Sequence, residues 1–361
     1  MEPLKSTGKV SFLLDDLKKV QSVPALKQAR MQKQEELQDL AANVSLIEWY
    51  QMVNDLHDYI ARQVIEICEN EMEAEGYGRR PVPYAFVVFG SSGRGEATLW
   101  SDQDNGMIIS DLPHPDKEAY FQELGIRISN SLEAVGYAKC EGKVMCSEPL
   151  WRRTLDSWKH QLADWTDDLK WEPVRYLIIA ADLRHVGGDH TLSEDFRSHF
   201  GQLFQSTPDL ASAVLRNTVK HKATLNILGR VVTERFGEHA GGFDIKYGMY
   251  IPLVNSARYM ALLNGLKDTN TIKRLTKLAR LEAVPLHFVD ACEDAFKIAL
   301  KLRRITEVED ENGIISSSGY IGEEQLKQRT ILYELREGLS TVKKVHRNLQ
   351  RQLRFVERRR S

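Results

Sequence analysis

Residues Val87–Asp111 read VVFGSSGRGEATLWSDQDNGMIISD. The apolar, β-rich run Tyr84–Gly90 (YAFVVFG) has the texture of a buried strand, and it ends in a glycine-rich turn at Gly90-Ser91. Beyond the turn come Asp102 and Asp104, then NGMIIS, which reads as a second strand. On an extended segment positions i and i+2 face the same way, about 6.6 Å apart along the chain. Two carboxylates aimed together repel each other, and a divalent cation between them is the usual remedy. Mg²⁺ suits such a pair, because it takes one or two carboxylates, keeps waters and accepts substrate phosphates. The Gly90-Ser91 turn would meet those phosphates with backbone N–H groups, and Arg94 could add a charged contact unless it pairs with Glu96. The turn lacks the Lys-Ser/Thr ending of a P-loop and the G-x-G-x-x-G spacing, and no H-E-x-x-H or G-x-S-x-G occurs.

Outward from this stretch, Val23–Glu75 is helical in pattern, with Leu46, Ile47, Trp49, Tyr50, Val53, Leu56, Ile60 and Val64 at three- and four-residue steps after a cap at Asn43–Ser45. The first twenty residues are less periodic, and disorder is expected there. After the turn, Lys117–Val135 reads as a helix and YAKCEGKVM as a third strand. Trp151, Trp158 and Trp165, seven apart, would share a helix face that fastens to the sheet. DLRHVGGD reads as a turn in which Asp182, Arg184 and Asp189 form a polar cluster, either a buried salt bridge that fixes the turn around Gly187-Gly188 or a direct substrate contact. The rest is read as helices over Pro208–Phe236, Leu253–Leu266, Thr271–Ala283, Leu286–Arg304 and Glu323–Arg359, with a loop at GIISSSGYIG. The expected fold class is α+β: a small mixed-sheet domain (79–200) between an N-terminal helical segment (1–78) and a C-terminal helical bundle (201–361).

The chain has 361 residues, with 49 Lys and Arg against 51 Asp and Glu, a net charge of −2. A global basic field for nucleic acid is therefore absent, and nucleic acid is not an expected partner. The basic end of the last helix (Arg351, Arg354, Arg358, Arg359, Arg360) complements its own dipole. Four cysteines without a C-x-x-C pair argue against a disulfide scaffold, a zinc finger and a thioredoxin-like site. Cys140 and Cys146 read as buried thiols on one strand face. No apolar stretch approaches the roughly 18 residues of a membrane span and no secretory leader is seen, so a cytoplasmic chain without a membrane partner is expected.

Gly90-Ser91 followed by Asp102-x-Asp104 resembles the signature of the DNA polymerase β-like nucleotidyltransferase superfamily. The fuller string GSSGRGE…SDQDN is similar to the branch holding the bacterial PII-uridylyltransferase and glutamine synthetase adenylyltransferase. It most closely resembles a nucleotidyltransferase family often found behind CBS or cyclic-nucleotide-binding domains. GYAKCEGKVMCSEPLWR, DLRHVGGD and FDIKYGMYIPLVNSARYMALLNG extend the resemblance, the last to a companion helical substrate-binding domain. It implies a Mg²⁺-dependent transfer (Mn²⁺ as the alternative ion) of a nucleoside monophosphate from a nucleoside triphosphate to an acceptor hydroxyl, with a protein acceptor favoured by analogy. Asp102 and Asp104 would hold the metal. Gly90, Ser91, Arg94 and, in the helical domain, Lys246 would meet the nucleotide. A third carboxylate on a later strand is expected in many members, and Glu141 is the candidate, with Glu148 as its alternative. Without a third acid the reading becomes a non-catalytic nucleotide-binding module.

Overall fold

The run Tyr84-Ala85-Phe86-Val87-Val88 forms β1 (Tyr84–Val88), buried at all five positions, as an inner strand of β-branched and aromatic residues should be. β2 (Asn105–Ile109), also buried throughout, pairs antiparallel with β1, Tyr84 opposite Ile109 and Val88 opposite Asn105. β3 (Arg152–Thr154) runs parallel to β2, and β4 (Arg184–Gly188) antiparallel to the other edge of β1. The order β3-β2-β1-β4 makes a small mixed sheet, and with helices on either side in sequence the fold is α+β. The structure, a computed structural model, describes residues 17, 20–219 and 231–358. The expectations for the first residues, for the middle of the Pro208–Phe236 helix and for Arg359 and Arg360 lie outside the described residues.

The chain divides into two units. The first takes in residues up to 160, with 182–196 and 310–316; the second takes in 161–181, 197–309 and 317 onward. Helices of the first unit are α1 (Val23–Leu40), α2 (Leu46–Ala74), the one-turn α3 (Gly90–Arg94) and α4 (Lys117–Val135). Ser45 caps α2, its Oγ accepting from the Glu48 N–H at 3.2 Å. Leu56, Ile60 and Val64, four apart on α2, are fully buried, and each such side chain contributes roughly 1.5–3 kcal/mol. α5 (Leu155–Asp167) follows β3, and Trp158 on it donates its indole N–H to Met107 O of β2 at 2.9 Å. Trp158 therefore fastens helix to sheet as its spacing suggests. Trp151 does not lie on that helix: it precedes β3 and packs its ring against Phe89 and Trp158.

The sequence continues through α6 (Trp171–Ala180), α7 (His190–Ser206), α8 (Pro208–Thr218), α9 (Ile251–Leu263), α10 (Thr271–Arg280), α11 (Leu286–Arg303), α12 (Glu323–Leu326) and α13 (Arg329–Arg358). In the second unit's core Tyr250 stacks on Phe296, and the Arg303 guanidinium lies 3.9 Å from the Tyr250 ring centre.

Three local expectations are corrected. YAKCEGKVM is not a strand: Lys143 has φ +54° and its N–H closes a turn on Cys140 O at 2.9 Å, which breaks the extended run. DLRHVGGD is not a turn: it contributes β4, held to β1 by the ladder. GIISSSGYIG, expected as a loop, holds the strands Ile314–Ser317 and Tyr320–Ile321, the second paired with Phe243–Asp244.

Candidate active site

Asp102-Gln103-Asp104 leads directly into β2. Gln103 and Asn105 give their backbone N–H groups to Ala138 O at 2.9 Å and Val144 O at 3.0 Å. Their side chains are buried on that same side. Gln103 Nε2 donates to Ser129 O and Tyr137 O at 3.1 and 3.2 Å, and Asn105 Oδ1 accepts from the Cys146 N–H at 2.9 Å. Period-two alternation then turns Asp102 and Asp104 the other way, where neither is buried. The Phe89 N–H donates to Asp104 O at 2.9 Å, which ties this segment to the end of β1 as well. A carboxylate oxygen of Asp102, one of Asp104 and Sγ of Cys140 lie within 4.8 Å of one another.

Gly90 opens α3 with φ +54°, in the left-handed region, and its α-carbon is pressed on Asp104: a Cβ there would overlap Oδ2 and stand 3.1 Å from Cγ. Gly93, one turn on, faces the Asp182 carbonyl and has Val88 O 2.9 Å from where a Cβ would be. The turn thus fits between the sheet and the acids only because both positions lack side chains. The N–H groups of Gly90, Ser91 and Ser92 stand at the start of a helical turn, where no preceding turn supplies their carbonyls.

Behind the turn, Arg94 is 4% exposed, and its guanidinium is divided between Glu96 at 2.9 Å and Asp182 at 2.6 Å, both buried. Of the two readings open for Arg94, the pairing with Glu96 is present and is joined by Asp182, so the guanidinium braces the turn. Arg184 makes a two-pronged pair with Asp58 of α2 at 2.5 and 2.8 Å and also donates to Ser92 O at 2.8 Å. Asp189 caps α7 through the Thr191 N–H at 2.9 Å. The predicted polar cluster is therefore three separate structural contacts.

The loop between the turn and the acids is clasped by the N-terminal helices. Asn54 of α2 pairs with the Ala97 backbone in both directions, at 3.1 and 3.2 Å. From α1, Gln34 donates to Leu99 O at 2.7 Å, and Arg30 donates to the same oxygen at 3.4 Å and to Val135 O and Gly136 O, at the end of α4, at 3.2 and 3.1 Å. Nothing in the spacing of those polar residues signals this; each interrupts a helical pattern and reads as solvent-facing.

Glu141, expected as the third acid, is exposed in the Cys140–Lys143 turn, and the side chain that joins the two aspartates is its neighbour Cys140. The thiol is hydrogen-bonded to Asp104 and receives the Val144 N–H; burial first, then the Asp104 charge, push it up to about 12. Glu148 belongs to the following turn, its backbone O accepting from the Trp151 N–H at 3.0 Å. Ser91 is partly exposed on α3, and Lys246 is an exposed residue of the second unit, at the start of a π-helical turn (Lys246–Tyr250).

Residues 32–172 match the family described as "Putative nucleotidyltransferase DUF294", and residues 208–353 match the "Putative nucleotidyltransferase substrate binding domain". The chain carries the DUF294 domain followed by its companion domain. In this DUF294 chain the first match begins inside α1 and carries β1, β2 and β3, the Gly90 turn and both aspartates, with β4 beyond its end, while Lys246 falls within the second match. No curated protein matches the chain. The donor set of the DUF294 site fits a divalent cation: two adjacent carboxylates turned to one side, beside backbone N–H groups suited to phosphate. No helix among the described residues is long and apolar enough to cross a membrane.

Proposed function

We propose that this DUF294 chain transfers a nucleoside monophosphate from a nucleoside triphosphate to an acceptor hydroxyl. In that reaction the acceptor oxygen bonds to the α-phosphorus, the bond to the β-phosphate oxygen breaks, pyrophosphate leaves, and the hydroxyl proton passes to solvent. The observation that carries the reading is the convergence of Asp102 and Asp104 beside the side-chain-free turn at Gly90. Asp102 and Asp104 would hold Mg²⁺ or Mn²⁺. A cation bound there supplies positive charge to the transferring phosphoryl group and the departing pyrophosphate. The chain's own part is positioning. Gly90 lets the turn approach, the N–H groups of Gly90, Ser91 and Ser92 receive phosphate oxygens, and Arg94 with Glu96 and Asp182 keeps the turn in place. Lys246, in the substrate binding domain, is assigned to the triphosphate; a protein is the favoured acceptor by analogy, and the chain itself is placed in the cytoplasm.

One observation favours a second reading, a nucleotide-binding module without turnover: the side chain beside the two aspartates is a thiol rather than a third carboxylate. Incubating the full chain with Mg²⁺ and each labelled nucleoside triphosphate, alone and with cell lysate, separates the two. Pyrophosphate release or a labelled acceptor supports transfer. Saturable binding with neither supports the module, and absence of nucleotide binding sinks both.

A further inference from the structure

The meeting point of Asp102, Asp104 and Cys140 has a donor chemistry different from that of a carboxylate pair alone. Its donors come from two chain segments, the approach to β2 and the turn after α4, and all three ligand atoms lie within 4.8 Å of one another. Donors around a single tetrahedral ion stand about 3.4 Å apart when metal–ligand bonds are about 2.1 Å, so a small closing of side chains places one ion in contact with all three. The thiol is set from outside. The Lys143 N–H closes the turn on Cys140 O at 2.9 Å, and the Val144 N–H points to the sulfur, the sort of outer partner that orients a metal-bound thiolate. Asp104 is backed by Gly90 and cannot retreat toward the turn.

A sulfur donor changes which ion fits. Mg²⁺ takes oxygen ligands in a near-octahedral shell, whereas thiolate with carboxylate suits zinc-class ions, whose catalytic sites hold three protein ligands and leave one position open. We propose that Asp102, Asp104 and Cys140 form a three-ligand site for a zinc-class ion with an open fourth position, preferred there over Mg²⁺. On binding, a sulfur–metal bond forms and the thiol proton passes to solvent; no oxidant or reductant takes part. The proposal rests on the reading of the two aspartates as a cation site, and it is independent of whether nucleotide is turned over.

The test uses metal-free full-length chain and Co²⁺ as the probe, without nucleotide. A sulfur-to-cobalt charge-transfer absorption is expected to saturate at one equivalent, to be bleached by one equivalent of Zn²⁺, and to survive a large excess of Mg²⁺. Cys140→Ser loses the band and holds Zn²⁺ about 100-fold more weakly against a chelating dye, the upper end of what an outer partner alone is worth. Cys292→Ser, whose thiol is buried in the second unit, keeps both properties. Should Cys140→Ser fail to fold, Cys140→Asp restores a negative donor, and the expected result is divalent-ion binding without the sulfur band. Cobalt bound to the wild type without a sulfur band, or a band that persists in the Cys140 variants, overturns the proposal. The two readings fail separately. Turnover with Mg²⁺ and no sulfur band removes the zinc-class site alone, and a sulfur band without turnover by any ion removes the transferase alone.

Discussion

The α-carbon of Gly90 lies against the carboxylate of Asp104, so that no side chain can occupy position 90 without displacing the acid. The turn that would receive phosphate and the residue that would hold the cation are thereby fixed to each other through a single close approach. Gly90→Ala should strain the backbone by about 1–2 kcal/mol at its positive φ and push Asp104 out of place. The expected outcome is a folded chain with nucleotide transfer reduced about 100-fold, the scale of a group misplaced by an ångström. Pyrophosphate release alongside a thermal melt checks it, and wild-type release would remove Gly90 from the site.

Asp104→Asn keeps the shape of the side chain and removes its charge. Turnover is expected to vanish while the melting temperature stays close to wild type, since the carboxylate is not buried. Retained activity would show that the acids play no part in the chemistry.

Arg94 is enclosed by two acids, and Arg94→Gln leaves Glu96 and Asp182 facing each other in the interior. Breaking such a buried pair costs about 3–5 kcal/mol, and a urea midpoint should fall accordingly. A residue that served only to hold phosphate would instead lower nucleotide affinity with the midpoint unchanged.

His57 of α2 stands between Tyr137 Oη, 2.8 Å from Nδ1, and Thr98 O, 2.9 Å from Nε2. With Nε2 donating to the carbonyl, Nδ1 accepts from the phenol, an arrangement that only the neutral ring allows. Burial, then the nearby Arg30 cation, lower it from 6.5 to about 4. The unfolded chain therefore binds this proton at a higher pH than the folded one. Stability from this group is complete above pH 6.5 and declines as pH falls toward 4, by roughly 3 kcal/mol in all. Urea unfolding between those pH values should show the slope, and His57→Gln should flatten it. An unchanged slope in the variant would assign the acid sensitivity to other groups.

Trp158→Phe removes the indole N–H that reaches Met107 O. The lost buried bond is worth about 1–3 kcal/mol, to be read as a lower denaturation midpoint with transfer activity kept. A midpoint equal to wild type would mean the contact adds nothing to fastening α5.

Much of the sheet was legible because inner strands announce themselves. Tyr84–Val88 and Met107–Ile109 are unbroken apolar runs, and the D-x-D pair before the second is set by simple alternation. β3 and β4 were not legible. Arg152–Thr154 has three polar residues, and Arg184–Gly188 ends in two glycines; both are strands because β2 and β1 offer them edges, a tertiary cause. The side chain that stands beside the two aspartates is one residue from the acid expected there. Choosing by charge picked Glu141, whereas the turn at Lys143 brings Cys140 to the aspartates and leaves the acid in water. Arg94 was open between ligand and ion pair, and its second acid, Asp182, lies 88 residues away in sequence, beyond the reach of local spacing.

The clasp of Asn54, Gln34 and Arg30 on the loop ahead of the aspartates has a practical corollary. A fragment trimmed to start at β1 would still encode both aspartates and the cysteine, yet the peptide groups of Ala97 and Leu99 would lose their partners and the aspartates their fixed bearing. Swapping or shortening α1 and α2 is thus an intervention on the aspartate pair itself, made from a distance.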